Sequence, residues 1–298
     1  MISAFDQVKN NRYRTYLLFF LFVLIITPLF LLVGYFLDSF FLGLIFATMF
    51  FAIYIPYVLN SGYKTILIGL GAKEVKKADY PHLFHTVEGL SISAGLKTIP
   101  KCYVIQDKAM NAFATGKNKD DSIICVTTGL LDVLNREEVE GVVAHEMSHI
   151  LNEDMKVMTI ATMTVGVVAL ISEFILRFSI FGNSSNRSND NNNGNAQIII
   201  LVVGLIFAIL APICAELTKL AISRKREYMA DSSAVILTRN PNGLSSALKK
   251  ISGNCAVKTA TGSTSHLFIS DPAKANFMQR MFSTHPPIEK RIELLNKM

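Results

Sequence analysis

Two histidines, His145 and His149, stand four residues apart within Val143–Ile150, and Glu146 directly follows the first. On a helix, a four-residue step rotates a side chain by only about 40°, so both imidazoles project from one face. A tetrahedral zinc ion can take two nitrogen ligands from that arrangement, and a neighbouring carboxylate is placed to take a proton from a water activated by the metal. The flanks read as helix. Asn135 followed by Glu138 is a capping box, and Glu137 and Glu138 put acids into the first turn.

The motif requires a third ligand. The stretch Ser223–Asp231 is helical in character and carries Glu227 one turn before Asp231. If the helices on either side of a membrane pair continue out of it, His145 and His149 rise roughly 12–18 Å before Val157 at about 1.5 Å per residue. On the same reckoning Glu227 rises about 12 Å beyond Lys219. The heights match, so Glu227 can complete a His/His/Glu zinc site. Asp231 is then placed to accept the other ring N–H of a ligand histidine and fix its tautomer.

Composition supports membrane pairs. Of 298 residues, 51% are hydrophobic and only 17% charged, against about a quarter charged in ordinary soluble domains. The apolar residues are concentrated in runs. Residues 1–15 are polar and basic, and 16–60 read as a transmembrane hairpin of two spans. The first run is too long for a signal peptide and Leu37-Asp38-Ser39 offers no small-residue cleavage site. A third span is expected over 157–178, an Asn-rich outer loop over 179–196 and a fourth span over 197–219. Glu173 and Arg177 in the third run are spaced to pair near its outer end. Lys9, Arg12, Arg14, Lys64 to Lys77, Lys156 and Arg224 to Arg226 all flank the runs on one side. That bias places the termini, residues 61–156 and residues 220–298 in the cytoplasm of a multi-pass cell-membrane protein. It also accounts for the net charge of +6, leaving nothing that points to nucleic acid. Four cysteines without a CxxC pair read as buried thiols.

Between the hairpin and the metal helix, Asp79-Tyr80-Pro81 opens an amphipathic helix to about Ala94. His82 and His85 on it have no acidic or cysteine partner nearby and read as a polar helix start. Residues 101–106 and 122–127 read as strands bracketing Asn111, Ala112, Phe113 and Ala114, with a turn at Gly116–Asp121. The expected fold is thus an α+β membrane protein, predominantly helical. It has four transmembrane helices and a cytoplasmic zincin-like catalytic domain containing a small antiparallel sheet.

The chain resembles the HtpX family of membrane zinc metalloproteases, relatives of the CAAX prenyl endoproteases. The resemblance spans nearly all of it: the hairpin of spans, Asn111–Ala114, the HExxH helix running into a span, Arg226-Glu227-Tyr228-x-Ala230-Asp231 and the closing His285-Pro286-Pro287. It implies one Zn2+ per chain on His145, His149 and Glu227, with Glu146 as catalytic base. Asn111–Ala114 would be an edge strand holding substrate backbone, and His285 and Arg291 would assist substrate or transition state. The implied activity is an endopeptidase acting on unfolded or misfolded proteins at a lipid bilayer. The prenyl proteases have further spans that are absent here, which argues against a prenyl-protein chamber.

Two rivals remain. A protease cutting inside the bilayer would have to bury Glu137, Glu138, Glu140, Glu153, Asp154 and Lys156 around its motif, at high cost. A zinc-binding membrane protein or transporter without protease activity would need acids or histidines at mid-depth, and the first two spans carry none. Oligomeric state leaves no trace in the sequence.

Overall fold

Helix α1, Ala4–Phe36, and helix α2, Phe40–Gly69, form the expected hairpin. The computed structural model describes residues 4–181, 224–252, 257–260, 264, 267–269 and 286–298. The hairpin turn takes three residues. Asp38 adopts φ 52 there, and the Ser39 side chain accepts from the Leu42 N–H to start α2. Among the described residues three helices are long and apolar enough to cross a membrane, over Tyr13–Leu32, Phe40–Gly69 and Asp154–Ile171. Only 17% of the apolar window is buried in each of the first two, against 61% in the third. The hairpin therefore presents Leu24, Phe41, Leu44 and Met49 outward, as lipid-facing helices do. The fourth span, expected over 197–219, lies outside the described residues.

With 30 residues, α2 is about 45 Å long, more than a hydrocarbon core of about 30 Å requires. Its last turns are part of the protein core. Tyr63, Ile66, Leu67 and Leu70 pack with Ile105, Phe113, Ile123 and Cys125, and the Tyr63 hydroxyl donates to Asp121 at 2.8 Å. The membrane hairpin and the sheet thus share one hydrophobic cluster.

The sheet has four strands: β1, Lys73–Glu74; β2, Lys101–Ile105; β3, Ala112–Asn118; and β4, Asp121–Thr127. Its order is β1-β2-β4-β3. The wholly antiparallel sheet expected above is corrected here to a mixed one, since β2 and β4 pair in parallel. The physical reason is the route of the chain. After β2 it skips a place, forms β3 at the far edge and returns through a tight hairpin into the gap as β4. Asn118 Oδ1 closes that hairpin by accepting from the Asp120 and Asp121 N–H groups. Cys102 and Cys125 are buried free thiols within these strands, and desolvation raises the Cys102 pKa to about 12. Cys214 and Cys255 lie outside the described residues.

Helix α3, Pro81–Ser93, lies beside the sheet, with His82 and His85 on its exposed side. The short helix α4, Thr128–Val133, leads into α5, Arg136–Leu151, which carries the histidines. The Asn135–Glu138 capping box forms in both directions. Buried Glu138 also accepts from Ser246 at 2.6 Å and Lys250 at 2.7 Å, both on helix α8, Pro241–Ile251. Helices α5 and α8 cross in near backbone contact. A Cβ on Gly141 would stand 2.5 Å from the Leu244 nitrogen, and one on Gly243 would stand 2.5 Å from the Glu137 carbonyl oxygen.

The metal helix does not run unbroken into the third span, contrary to the sequence reading. It ends at Leu151, Glu153 turns left-handed at φ 55, and α6 begins afresh at Asp154 and continues to Phe181. Helix α7, Arg224–Thr238, and helix α9, Ile288–Leu295, complete the body.

Candidate metal centre

Helix α5 is buried almost all round from Val142 to Ile150, so its polar residues there must find partners inside the protein. His145 and His149 face one another with Nε2 atoms 3.3 Å apart. Glu227, on α7, reaches them from across the cluster. Its Oε2 lies 3.7 Å from His145 Nε2 and its Oε1 lies 3.6 Å from His149 Nε2. One donor atom from each residue lies within 4.8 Å of the others. A tetrahedral ion with bonds of about 2.0–2.1 Å separates its ligand atoms by about 3.3–3.4 Å, close to the spacings found here. The donor set therefore fits zinc.

Charge points the same way. Glu146, Asp154, Glu227 and Asp231 are all at most 3% exposed. Two guanidiniums sit among them: Arg291, 0% exposed, and Arg226, whose side chain is 10% exposed. With neutral imidazoles the carboxylates outnumber the guanidiniums even when half-buried Arg14, which acts on Asp154 and Arg226, is counted with them, so the cluster carries a net negative charge that favours a bound cation. Protons on the two imidazoles are the metal-free alternative. Burial opposes such protons, yet hydrogen bonds to Asp231 and Glu227 outweigh it and bring His145 up to about 9. His149 is raised against the same desolvation by Asp154 and Glu227. Glu146 moves up as well, because burial penalises its charge more than the nearby histidines favour it.

Each histidine is held through its other ring nitrogen. His145 Nδ1 is 3.0 Å from Asp231 Oδ1, and His149 Nδ1 is 3.2 Å from Asp154 Oδ2. Asp231 is gripped in turn by Arg291, whose Nε and one terminal nitrogen donate to its two oxygens at 2.9 and 2.7 Å. This fork, with His145, outweighs desolvation and holds the Asp231 carboxyl near 2.

The sequence profile of Peptidase family M48 matches residues 78–298. The chain is 42% identical over 298 residues to a protein named Protease HtpX homolog from Dictyoglomus turgidum, covering 99% of this chain and 95% of that one. It is 40% identical over 297 residues to the homolog from Lactobacillus helveticus, 99% of both chains. With the Tropheryma whipplei homolog it shares 41% over 296 residues, 99% and 98% of the two chains. The chain belongs to peptidase family M48. Among solved structures it is distantly similar to S. mikatae Ste24p, with TM-score 0.45 and 17% identity over 93% of this chain and 61% of that one.

In this M48 peptidase Asn111 precedes β3, and Ala112, Phe113 and Ala114 open it at the sheet edge beside α5. The Thr127 N–H donates to the Asn111 carbonyl. The alternation of an antiparallel ladder then turns the main-chain groups of Ala112 and Ala114 away from β4. Both meet the site. The Ala114 main chain hydrogen-bonds to Glu146, and the Ala112 carbonyl accepts from the Ile269 N–H at 2.9 Å. Ile269 is anchored at its own carbonyl by Arg291 at 3.1 Å. Phe268 packs edge-on against Phe113 with centroids 5.3 Å apart. Arg291 thus lies inside the cluster, 4.0 Å from Glu227 and fully buried. His285 lies outside the described residues. His82 and His85 take no part in the cluster: both are exposed on α3, where His85 faces Glu88 at 3.7 Å, an acidic neighbour that the sequence reading does not count.

The sequence reading counts Asp154 only as one of several charges around the motif and Arg226 only as part of the basic flank and of the Arg226–Asp231 stretch, and it gives Asn11 no role. Asp154, five residues after His149, would fall on the helix flank if α5 continued. The left-handed turn at Glu153 brings it back against the imidazole instead.

Proposed function

We propose that the chain is a membrane-embedded zinc endopeptidase that cleaves unfolded or damaged proteins, membrane proteins included, on the cytoplasmic side. The observation that carries this reading is the buried triangle of His145, His149 and Glu227 with Glu146 adjoining it. His145, His149 and Glu227 hold the ion. When bound, zinc supplies a Lewis acid that polarises a peptide carbonyl and acidifies water. Glu146, buried and with a raised pKa, takes a proton from the attacking water and hands it to the amine as the peptide C–N bond breaks. Asp231 and Arg291 hold His145 in the required tautomer and orientation. His285 is assigned to the stabilisation of charge on the substrate.

The extended substrate adds to the β3 edge through the outward groups of Ala112 and Ala114, exchanging the contacts that Ile269 and Glu146 make there. Backbone pairing of this kind favours unfolded chains over folded ones and tolerates many side chains. Basic residues flanking one side of the hairpin, of α6 and of the fourth span expected over 197–219 support a cytoplasmic site and cytoplasmic termini in a cell-membrane protein. A direct test compares a stably folded, disulfide-bonded protein with its reduced, alkylated form as substrates of the detergent-purified, zinc-loaded chain. Cleavage of the unfolded form, stopped by chelator and restored by zinc, is expected. Equal cleavage of a stably folded protein would refute the strand-addition reading.

A further inference from the structure

One polar side chain of the first membrane helix reaches the metal centre without touching a ligand. Asn11 lies on α1 just before the apolar stretch Tyr13–Leu32, yet it is only 5% exposed. Its amide nitrogen donates to Asp154 Oδ1 at 2.8 Å and to the Asn152 carbonyl at 3.1 Å. Its amide oxygen accepts from Arg226 at 3.1 Å. Arg226 also donates to Asp154 Oδ1 at 2.7 Å. The other oxygen of the same carboxylate, Oδ2, faces His149 Nδ1.

These contacts meet where three segments converge. Asn152 is the C-cap residue of the metal helix, Asp154 begins α6, and Arg226 directly precedes Glu227 on α7. A single amide from α1 therefore ties together the end of one ligand-bearing helix, the carboxylate that holds one ligand, and the residue next to another ligand. Asp154 alone could rotate about its side-chain torsions. With Oδ1 held by two donors from two other helices, Oδ2 is left aimed at the imidazole.

We infer that Asn11 is a positioning residue: through Asp154 it fixes the orientation of His149 and so makes the first membrane helix part of the zinc site. This rests on the metal reading above. Groups that orient a ligand histidine typically contribute 10–100-fold to metal affinity. Asn11→Leu keeps the branched shape and heavy-atom count of the side chain and removes all three hydrogen bonds.

The test is zinc affinity of the full-length protein in detergent, measured by competition with a chelating dye. A parallel activity assay measures kcat and KM at limiting and at saturating zinc. Asn11→Leu should bind zinc at least tenfold more weakly. Its activity should fall chiefly at limiting zinc, with KM for the unfolded substrate unchanged. In an Asp154→Asn background the same substitution should add almost nothing, because the two act in series. Zinc affinity within twofold of wild type in folded Asn11→Leu would overturn the inference, as would full additivity with Asp154→Asn. If Asn11→Leu fails to fold, Asn11→Ser, which keeps a shorter polar group, is read by the same additivity criterion. Failure of the wild type to bind zinc at all would instead strike the metal reading itself.

Discussion

Arg291→Met removes a buried cation whose hydrogen bonds are all internal. The guanidinium is 0% exposed, donates twice to Asp231 at 2.9 and 2.7 Å and once to the Ile269 carbonyl at 3.1 Å. Methionine matches much of its length but leaves the Asp231 carboxylate with His145 as its remaining charged partner. Stranding one half of a buried pair costs about 3–5 kcal/mol. At roughly 2–4 °C per kcal/mol for a chain of this size class, the midpoint of thermal unfolding in detergent should fall by about 10 °C. Arg291→Lys keeps the charge but not the fork, and should lie between the two. Combining Arg291→Met with Asp231→Asn removes the stranded charge, so the double variant should be more stable than Arg291→Met alone. Differential scanning fluorimetry on the four proteins gives the comparison. A midpoint for Arg291→Met within about 2 °C of wild type would refute the idea that this fork is what makes a buried Asp231 tolerable.

Three further outcomes are expected. Gly141→Ala places a methyl group within 3 Å of the Leu244 backbone and should cost about 3 kcal/mol, read as a lower thermal midpoint with looser packing of α8. Glu138 has its pKa lowered by Lys250 and Ser246 despite burial. Its contribution is therefore fully present above about 4.5 and lost as pH falls through the lowered value, so Glu138→Gln should flatten the acid limb of a stability–pH profile. Zinc must displace protons from His145, whose pKa is raised to about 9, and from His149, also raised. Apparent zinc affinity should therefore climb from pH 6 and level off near pH 9, a trend that chelator competition across a buffer series would show or exclude.

What could be read from the sequence was mostly what local spacing encodes. The capping box, the shared face of His145 and His149, the start of α3 at Pro81 and the turn at Asn118 each depend on residues within a few positions of one another. The match of Glu227 to the histidines was reached by assuming that both helices run straight out of the membrane. The structure brings the three together even though α5 stops at Leu151. That break was not visible because a non-glycine residue turning left-handed, as Glu153 does, leaves no mark in the periodicity. Strand order escaped for a different reason. The parallel pairing of β2 with β4 depends on the route taken between strands, which strand propensity does not encode. The partners of Asp154 were the least accessible, since Asn11 lies 143 positions away from it and Arg226 lies 72. Only tertiary packing brings them together.

The central claim is that a zinc ion on His145, His149 and Glu227 works with Glu146 as the base. It is tested most directly by purifying wild type and Glu146→Gln in detergent and measuring, on the same samples, bound zinc and cleavage of a reduced, alkylated protein. The account predicts one zinc per chain in both, cleavage by the wild type alone, and loss of that cleavage on chelation. Cleavage by Glu146→Gln at the wild-type rate, or by wild type stripped of zinc, would contradict it.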